Sequence, residues 1–185
     1  HTSYMIQALQ LILALSLLVL IHELGHFMFA RLFHVRVEKF YMFFNPRISL
    51  IRAKKINGKW QFRFFAPNVE PSMVEVKDAL TGETKTDEKG RPIYRPMTEE
   101  ELAALPEEDW RRYPDNTEWG LGWLPFGGYC SIAGMVDETK ASTDLPSEPQ
   151  SWEFRSKPAW QRLLIIIGGI LMNFVGAIVI FAMLL

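Results

Sequence analysis

Apolar positions collect at the two ends of this chain. From Met5 to Phe33 the polar interruptions before Arg31 are Gln7, Gln10, Ser16 and the cluster His22, Glu23 and His26, while Leu163 to Leu185 carries no charge and one amide, Asn173. A helix rises about 1.5 Å per residue against a hydrocarbon core of about 30 Å, so about 20 apolar residues suffice to cross it. The pattern therefore predicts two transmembrane helices, 5–33 and 163–185. A signal peptide is the alternative for the first. Its length, the lack of an early Lys or Arg and the absence of a small-residue cleavage site count against that.

Between the spans the pattern changes twice. The stretch 54–118 is strongly charged, and Asn57-Gly58, Thr81-Gly82 and Lys89-Gly90 mark turns in it, so it reads as solvated surface. Within it Trp60, Phe62 and Phe64 alternate with Gln61 and Arg63, which predicts a half-buried strand. Thr98 followed by Glu101 resembles a capping box opening a short helix that Pro106 ends. The segment 119–136 then runs for 18 residues without a formal charge, broken by Gly120, Gly122, Pro125, Gly127, Gly128 and Gly134. Glycine and proline at that density exclude a spanning helix and leave two readings. One is a re-entrant or interfacial loop sheltered by protein; the other is a buried loop of the connecting region.

The predicted fold class is a membrane protein, with transmembrane α-helices and a cytosolic, partly re-entrant, β-containing connecting region. Its segments are 5–33, 34–118, 119–136, a cytosolic linker 137–162, and 163–185. All 20 Lys and Arg residues lie between Arg31 and Arg162. Arg31, Arg36 and Lys39 follow the first span and Arg155, Lys157 and Arg162 precede the second, so the positive-inside rule puts the connecting region in the cytosol. A net charge of −1 with no basic stripe gives no nucleic-acid signature, and no nucleic-acid partner is expected. A single cysteine, Cys130, excludes an internal disulfide and reads as packing.

The chemistry sits in His22-Glu23-Leu24-Gly25-His26, an H-E-x-x-H motif. On a helix, with about 100° per residue, the two histidines stand one turn apart and roughly 40° apart in angle, so both imidazoles reach one ion. Glu23 lies beside the first of them, placed to take a proton from water at the metal. Zinc suits these ligands and lowers the pKa of its water to about 7. Chance polar residues on a helix are the bland alternative. Inside a span that alternative weakens, because an ionisable group there costs about 2.5 to 3.5 kcal/mol on insertion scales. His22 lies about 24 Å along the axis from Ile6 and about 13 Å before Arg31, which puts the site within the bilayer toward the cytosolic face.

The arrangement resembles the site-two protease family of intramembrane zinc metalloproteases, most closely its bacterial RseP-type (regulator of sigma-E) members. The residues that carry the resemblance are His22 to His26, Arg31 to Lys39, Gly122 to Tyr129, Trp152 to Pro158 and Gly168 to Asn173. It implies a bacterial inner-membrane, multi-pass enzyme with Zn2+ held by His22 and His26 and Glu23 as catalytic acid/base. It also implies a membrane-associated β-hairpin at Gly127, Gly128 and Tyr129 beside the active site. Such a strand edge could hold an unwound substrate by β-augmentation, or the glycines could merely make turns. Asn173 could orient a substrate carbonyl or bond a neighbouring helix; the latter is preferred. The implied partners are membrane lipid and transmembrane proteins or peptides, such as anti-sigma factors or remnant signal peptides.

Members of that family complete the zinc site with an aspartate on a later transmembrane helix, beyond periplasmic PDZ domains. Neither feature occurs here. The expectation is therefore an N-terminal portion of a longer protease whose remainder carries the third ligand, with His1-Thr2-Ser3 left from a tag or linker. Glu38, twelve residues after His26, is a conceivable but disfavoured substitute, and His34 reads as interfacial. Two other functions compete: a membrane-anchored zinc protease of quality control facing the cytosol, and a non-catalytic zinc-binding membrane scaffold.

Overall fold

The computed structural model describes residues 2–69, 71–135 and 148–185. Val136 and the first part of the expected linker, 137–147, lie outside them. The apolar ends form α1 (Thr2–Leu32) and α3 (Ala159–Leu184), both long and apolar enough to cross a membrane. Most of their apolar side chains are exposed, as lipid-facing surface would be. The second helix starts four residues earlier than its apolar run, because Pro158 at the cap fits a helix start and Trp160, Gln161 and Arg162 continue it.

Helix α1 ends where His34 takes a left-handed φ of 57° and the Val35 amide donates back to the Ala30 carbonyl at 2.8 Å. His34 is an exposed helix stop. The chain then reverses into β1 (Val37–Phe44), which runs back along α1: Val37 shares a buried cluster with Ala30, and the Phe40 ring meets Phe27 edge-on at 5.7 Å.

Six more strands follow. The strands β2 (Ile48–Ile56) and β3 (Lys59–Pro67) form a hairpin through Asn57-Gly58, whose φ values of 49° and 79° are those of a type I′ turn. A small pair, β4 (Met73–Glu75) and β5 (Tyr94–Pro96), leads to α2 (Glu99–Ala104). There the capping box forms as expected: Glu101 N donates to Thr98 Oγ1 and Thr98 N to Glu101 Oε2. Finally β6 (Glu118–Leu121) and β7 (Leu124–Ile132) enter a five-stranded sheet of order β3-β2-β6-β1-β7.

That order corrects the hairpin-like reading of 119–136. Strands β6 and β7 flank β1 from opposite sides, parallel and antiparallel to it, and never pair with each other. The crossing past the end of β1 is so close that a Cβ on Gly122 would collide with the Phe44 carbonyl.

The two faces of the sheet have different surroundings. Phe40, Trp119 and Cys130 are register partners on one face, and they pack against α1. Ala53 and Phe62 continue the same row beyond the helix. The expected strand at Trp60–Phe64 therefore forms, but its apolar side is not half-buried: Phe62 is 58% and Phe64 62% exposed. Its polar side does the docking instead. Gln61 accepts from the Trp110 indole at 3.1 Å, and the Arg63 guanidinium lies 4.3 Å from that ring's centre. The stretch 54–118 is thus no detached surface, since Lys54, Ile56, Trp110 and Glu118 are all buried. Nor is the described part of the linker free: Trp152 accepts from the Arg36 amide, and the Phe154 amide donates to Ala133.

On the polar face a buried chain of hydrogen bonds runs from Tyr129 OH to Asn45 Oδ1 (2.7 Å), from Asn45 Nδ2 to Ser49 Oγ (3.0 Å), from Ser49 to Tyr41 OH (3.2 Å), and from Tyr41 to Glu118. Lys54 Nζ donates to the Trp110 carbonyl at 3.0 Å. Burial lowers the Lys54 ammonium from 10.5 to about 8, and burial beside Glu118 pushes the Tyr41 phenol up. Between pH 8 and 10 the folded lysine is neutral while the unfolded one still binds its proton, so stability rises with pH. The slope is at most about 1.4 kcal/mol per pH unit. Above pH 10 Tyr41 reverses it, because only the unfolded phenol ionises there. Unfolding midpoints in detergent should climb from pH 8 to 10 for the native sequence and stay flat for Lys54→Met; an equal climb in the variant would assign the effect elsewhere.

Candidate metal centre

The H-E-x-x-H turn lies in the last third of α1, and α3 crosses it antiparallel: Phe33 meets Trp160, Gly25 meets Gly168, and Ile21 approaches Gly176. The approach is backbone on backbone. A Cβ on Gly25 would collide with the Gly168 carbonyl, and one on Gly168 would stand 2.6 Å from the Phe29 ring and 2.8 Å from the Gly25 carbonyl oxygen. Small residues at such a crossing let helices pack closely where no hydrophobic force separates lipid from side chain.

This contact aims three groups of α3 at the histidines. Ile165, Gly169 and Asn173 are spaced by four and so share one face of the helix. The Ile165 carbonyl lies 2.7 Å from His26 Nδ1, and the Asn173 amide nitrogen lies 3.2 Å from His22 Nδ1. A Cβ on Gly169 would stand 2.6 Å from His22 Nε2 and 2.7 Å from His26 Nε2. Both imidazoles thus turn the same nitrogen toward one point, and the two Nε2 atoms are 3.1 Å apart with the rings edge-on.

The donor set fits a divalent metal. Two nitrogens, each about 2.05 Å from a tetrahedral zinc, lie about 3.3 Å apart, close to the spacing found. Glu23 is part of the same group: the ligand atoms of His22, Glu23 and His26 all fall within 4.8 Å of one another. Among the described residues this is the one cluster of His, Cys, Asp or Glu compact enough to hold an ion. Glu38 stays out of it, lining a cleft of about 740 Å³ with Lys54, Trp110 and Glu118. None of the three motif residues borders that cleft.

Of the residues singled out from sequence, the structure therefore gathers His22, Glu23, His26 and Asn173. Gly127, Gly128 and Tyr129 lie in β7 at one edge of the sheet. Tyr129 points to the polar face and stacks on Tyr41, with ring centres 5.3 Å apart. Sequence reasoning overlooked Gly25, Gly169 and the Ile165 carbonyl. A Gly169–Asn173 pair four apart inside an apolar helix was the available signal for one face; the carbonyl leaves none.

A helix-borne H-E-x-x-H with converging imidazoles, on helices apolar enough to cross a membrane, is the donor arrangement of a candidate metal centre. The chain belongs to peptidase family M50, whose family model matches residues 10–90 and 104–185. It is 24% identical over 97% of its length to a protein of Ralstonia nicotianae, 28% over 96% to one of Rickettsia conorii, and 24% over 92% to one of Thermotoga maritima. Each of these is named "putative zinc metalloprotease". The chain spans 27%, 32% and 21% of their respective lengths.

Two substitutions separate the packing role of the glycines from their role at the ion. Gly169→Ala should leave the helices paired but place a methyl group against both ligand nitrogens, lowering metal affinity about tenfold or more by equilibrium dialysis and elemental analysis. Gly25→Ala should instead push α3 away and cost about 1 to 3 kcal/mol of stability in detergent. Equal metal content in Gly169→Ala and the native protein would show that α3 does not crowd the ion.

Proposed function

We propose that this chain carries the catalytic half-site of an intramembrane zinc endopeptidase that hydrolyses peptide bonds within or beside transmembrane segments. The observation that carries the reading is the convergence of His22 Nε2 and His26 Nε2 beside Glu23, on a helix long and apolar enough to span a bilayer. His22 and His26 would hold the zinc, and an aspartate elsewhere in the same protease would be the third ligand. When bound, zinc supplies a Lewis acid that acidifies water and polarises the scissile carbonyl. Glu23 takes the proton from the attacking water and returns it to the departing amine nitrogen. No covalent acyl-enzyme forms.

A transmembrane substrate hides its peptide carbonyls in its own hydrogen bonds, so it must unwind before attack. Among the described residues strand β7 ends the sheet, and its outer edge is the proposed template for the unwound segment. Its placement supports this. Phe40 is level with Phe27 on α1, and Met42, the partner of Gly128, lies about 6.6 Å farther along the strand. On a strand parallel to the axis of α1, that distance would match about four helical residues and would bring Gly128 to the level of Glu23. The connecting region would face the cytosol of a bacterial inner membrane, with the exposed aromatic row of β3 against the lipid surface. Substrates would be single-span proteins, with anti-sigma factors and remnant signal peptides as the classes the family resemblance suggests.

Glu23→Gln in the full-length protein should keep its zinc and lose cleavage of a single-span substrate by about 10² to 10⁴-fold. Reconstitution with a purified substrate in detergent, read by gel and mass spectrometry, tests it. Normal cleavage by the variant would remove Glu23 from the chemistry.

A further inference from the structure

Resting on the metal reading above, one more role can be assigned from the hydrogen-bond directions on α3. The Ile165 carbonyl can only accept, so His26 carries its proton on Nδ1 and leaves Nε2 as a lone pair facing the centre. His22 has no such fixed partner. Its Nδ1 faces the amide of Asn173, which can either donate or accept. The same four groups therefore admit two proton patterns, and the orientation of one amide selects between them.

In the first pattern Asn173 Nδ2–H donates to His22 Nδ1, the His22 proton sits on Nε2, and that N–H points at His26 Nε2, 3.1 Å away. Asn173, His22, His26 and Ile165 then form a closed relay with no lone pair on His22 for an ion. This pattern leaves Asn173 Oδ1 buried, with no hydrogen-bond partner among the described residues. In the second pattern the amide is turned by 180°. Asn173 Oδ1 accepts from His22 Nδ1–H, and both histidines present Nε2 lone pairs to the same point. The change moves one proton from Nε2 to Nδ1 of a neutral ring, so no charge is created in the apolar span.

We infer that Asn173 is a positioning residue that must present its carbonyl oxygen to His22 for metal to bind, and that its amide orientation opposes or permits metal loading. Ligating histidines characteristically donate their other N–H to an acceptor, and α3 would provide one for each: a fixed backbone carbonyl for His26 and a reversible amide for His22. The bond to a neighbouring helix preferred for Asn173 on sequence grounds forms, to His22 Nδ1 on α1; by itself such a bond does not account for the orphaned oxygen.

The test is Zn2+ affinity of the full-length protein in detergent, measured by competition with a chromophoric chelator, together with the ligand-field spectrum of Co2+ in the same site. Asn173→Leu keeps the volume and removes the acceptor; its affinity should fall about 10 to 100-fold. Asn173→Asp can only accept when ionised, which abolishes the competing relay, so its affinity should equal or exceed that of the native protein. Asn173→Leu binding within about threefold of native, or Asn173→Asp binding as weakly as the leucine variant, would overturn the inference. If the leucine variant fails to fold, as judged by its unfolding midpoint with chelator present, the aspartate variant decides alone: a tenfold loss refutes the acceptor role. His22→Ala is the control for the underlying reading. Undiminished zinc binding there would mean that the metal is not held by the motif at all, an outcome distinct from a silent Asn173.

Discussion

The contact between Gly25 and Gly168 is the constraint from which the rest of the centre follows. Two helices in lipid gain little from hydrophobic association, because lipid tails are as apolar as the side chains they would replace. What holds them is close packing, and the absence of side chains at this crossing allows the backbones to touch. Once they touch, a helix of ordinary pitch brings Ile165, Gly169 and Asn173 against His22 and His26. A larger residue at position 25 would separate the helices and with them the carbonyl and the amide that address the rings.

The sheet meets a different demand. One face continues the apolar surface of α1 through Phe40, Trp119 and Cys130, and the other carries the buried chain from Tyr129 to Glu118. Such a chain is tolerable only when its members are satisfied, since an unpaired buried polar group costs about 1 to 3 kcal/mol. The stretch after β3 helps to satisfy it: Asn68 Oδ1 accepts from Asn45 and Ser49, and its Nδ2 donates to the Asn45 carbonyl. The aromatic row of β3 is left outside by the same arrangement, because α1 covers only the β7, β1 and β6 end of the apolar face.

The parts legible in the sequence were those governed by local periodicity. The two apolar helices, the Asn57-Gly58 turn, the capping box at Thr98 and the spacing of His22 and His26 each depend on residues within a few positions of one another. The errors concern distant pairing. Nothing local in 119–136 says that β1 will separate β6 from β7, and alternation at Trp60–Phe64 gives the strand without saying which side is covered. The site divides the same way. The ligand pair was readable because it lies within one turn, whereas the Ile165 carbonyl belongs to a residue whose side chain has no part in the contact.

The position of α3 also limits where the remaining chemistry can come from. Its backbone at Gly169 closes one side of the paired Nε2 atoms so tightly that a methyl group has no room. On the proposed function, a third ligand and a substrate would approach from the sides that α3 leaves open, and neither could displace α3 without breaking the Gly25 contact that orients the rings. Two helices thus fix the histidine pair and its hydrogen-bond partners. On the proposed function, such an arrangement would suit a site that accepts an unwound peptide, because the helix crossing that orients the rings lies on the side away from it.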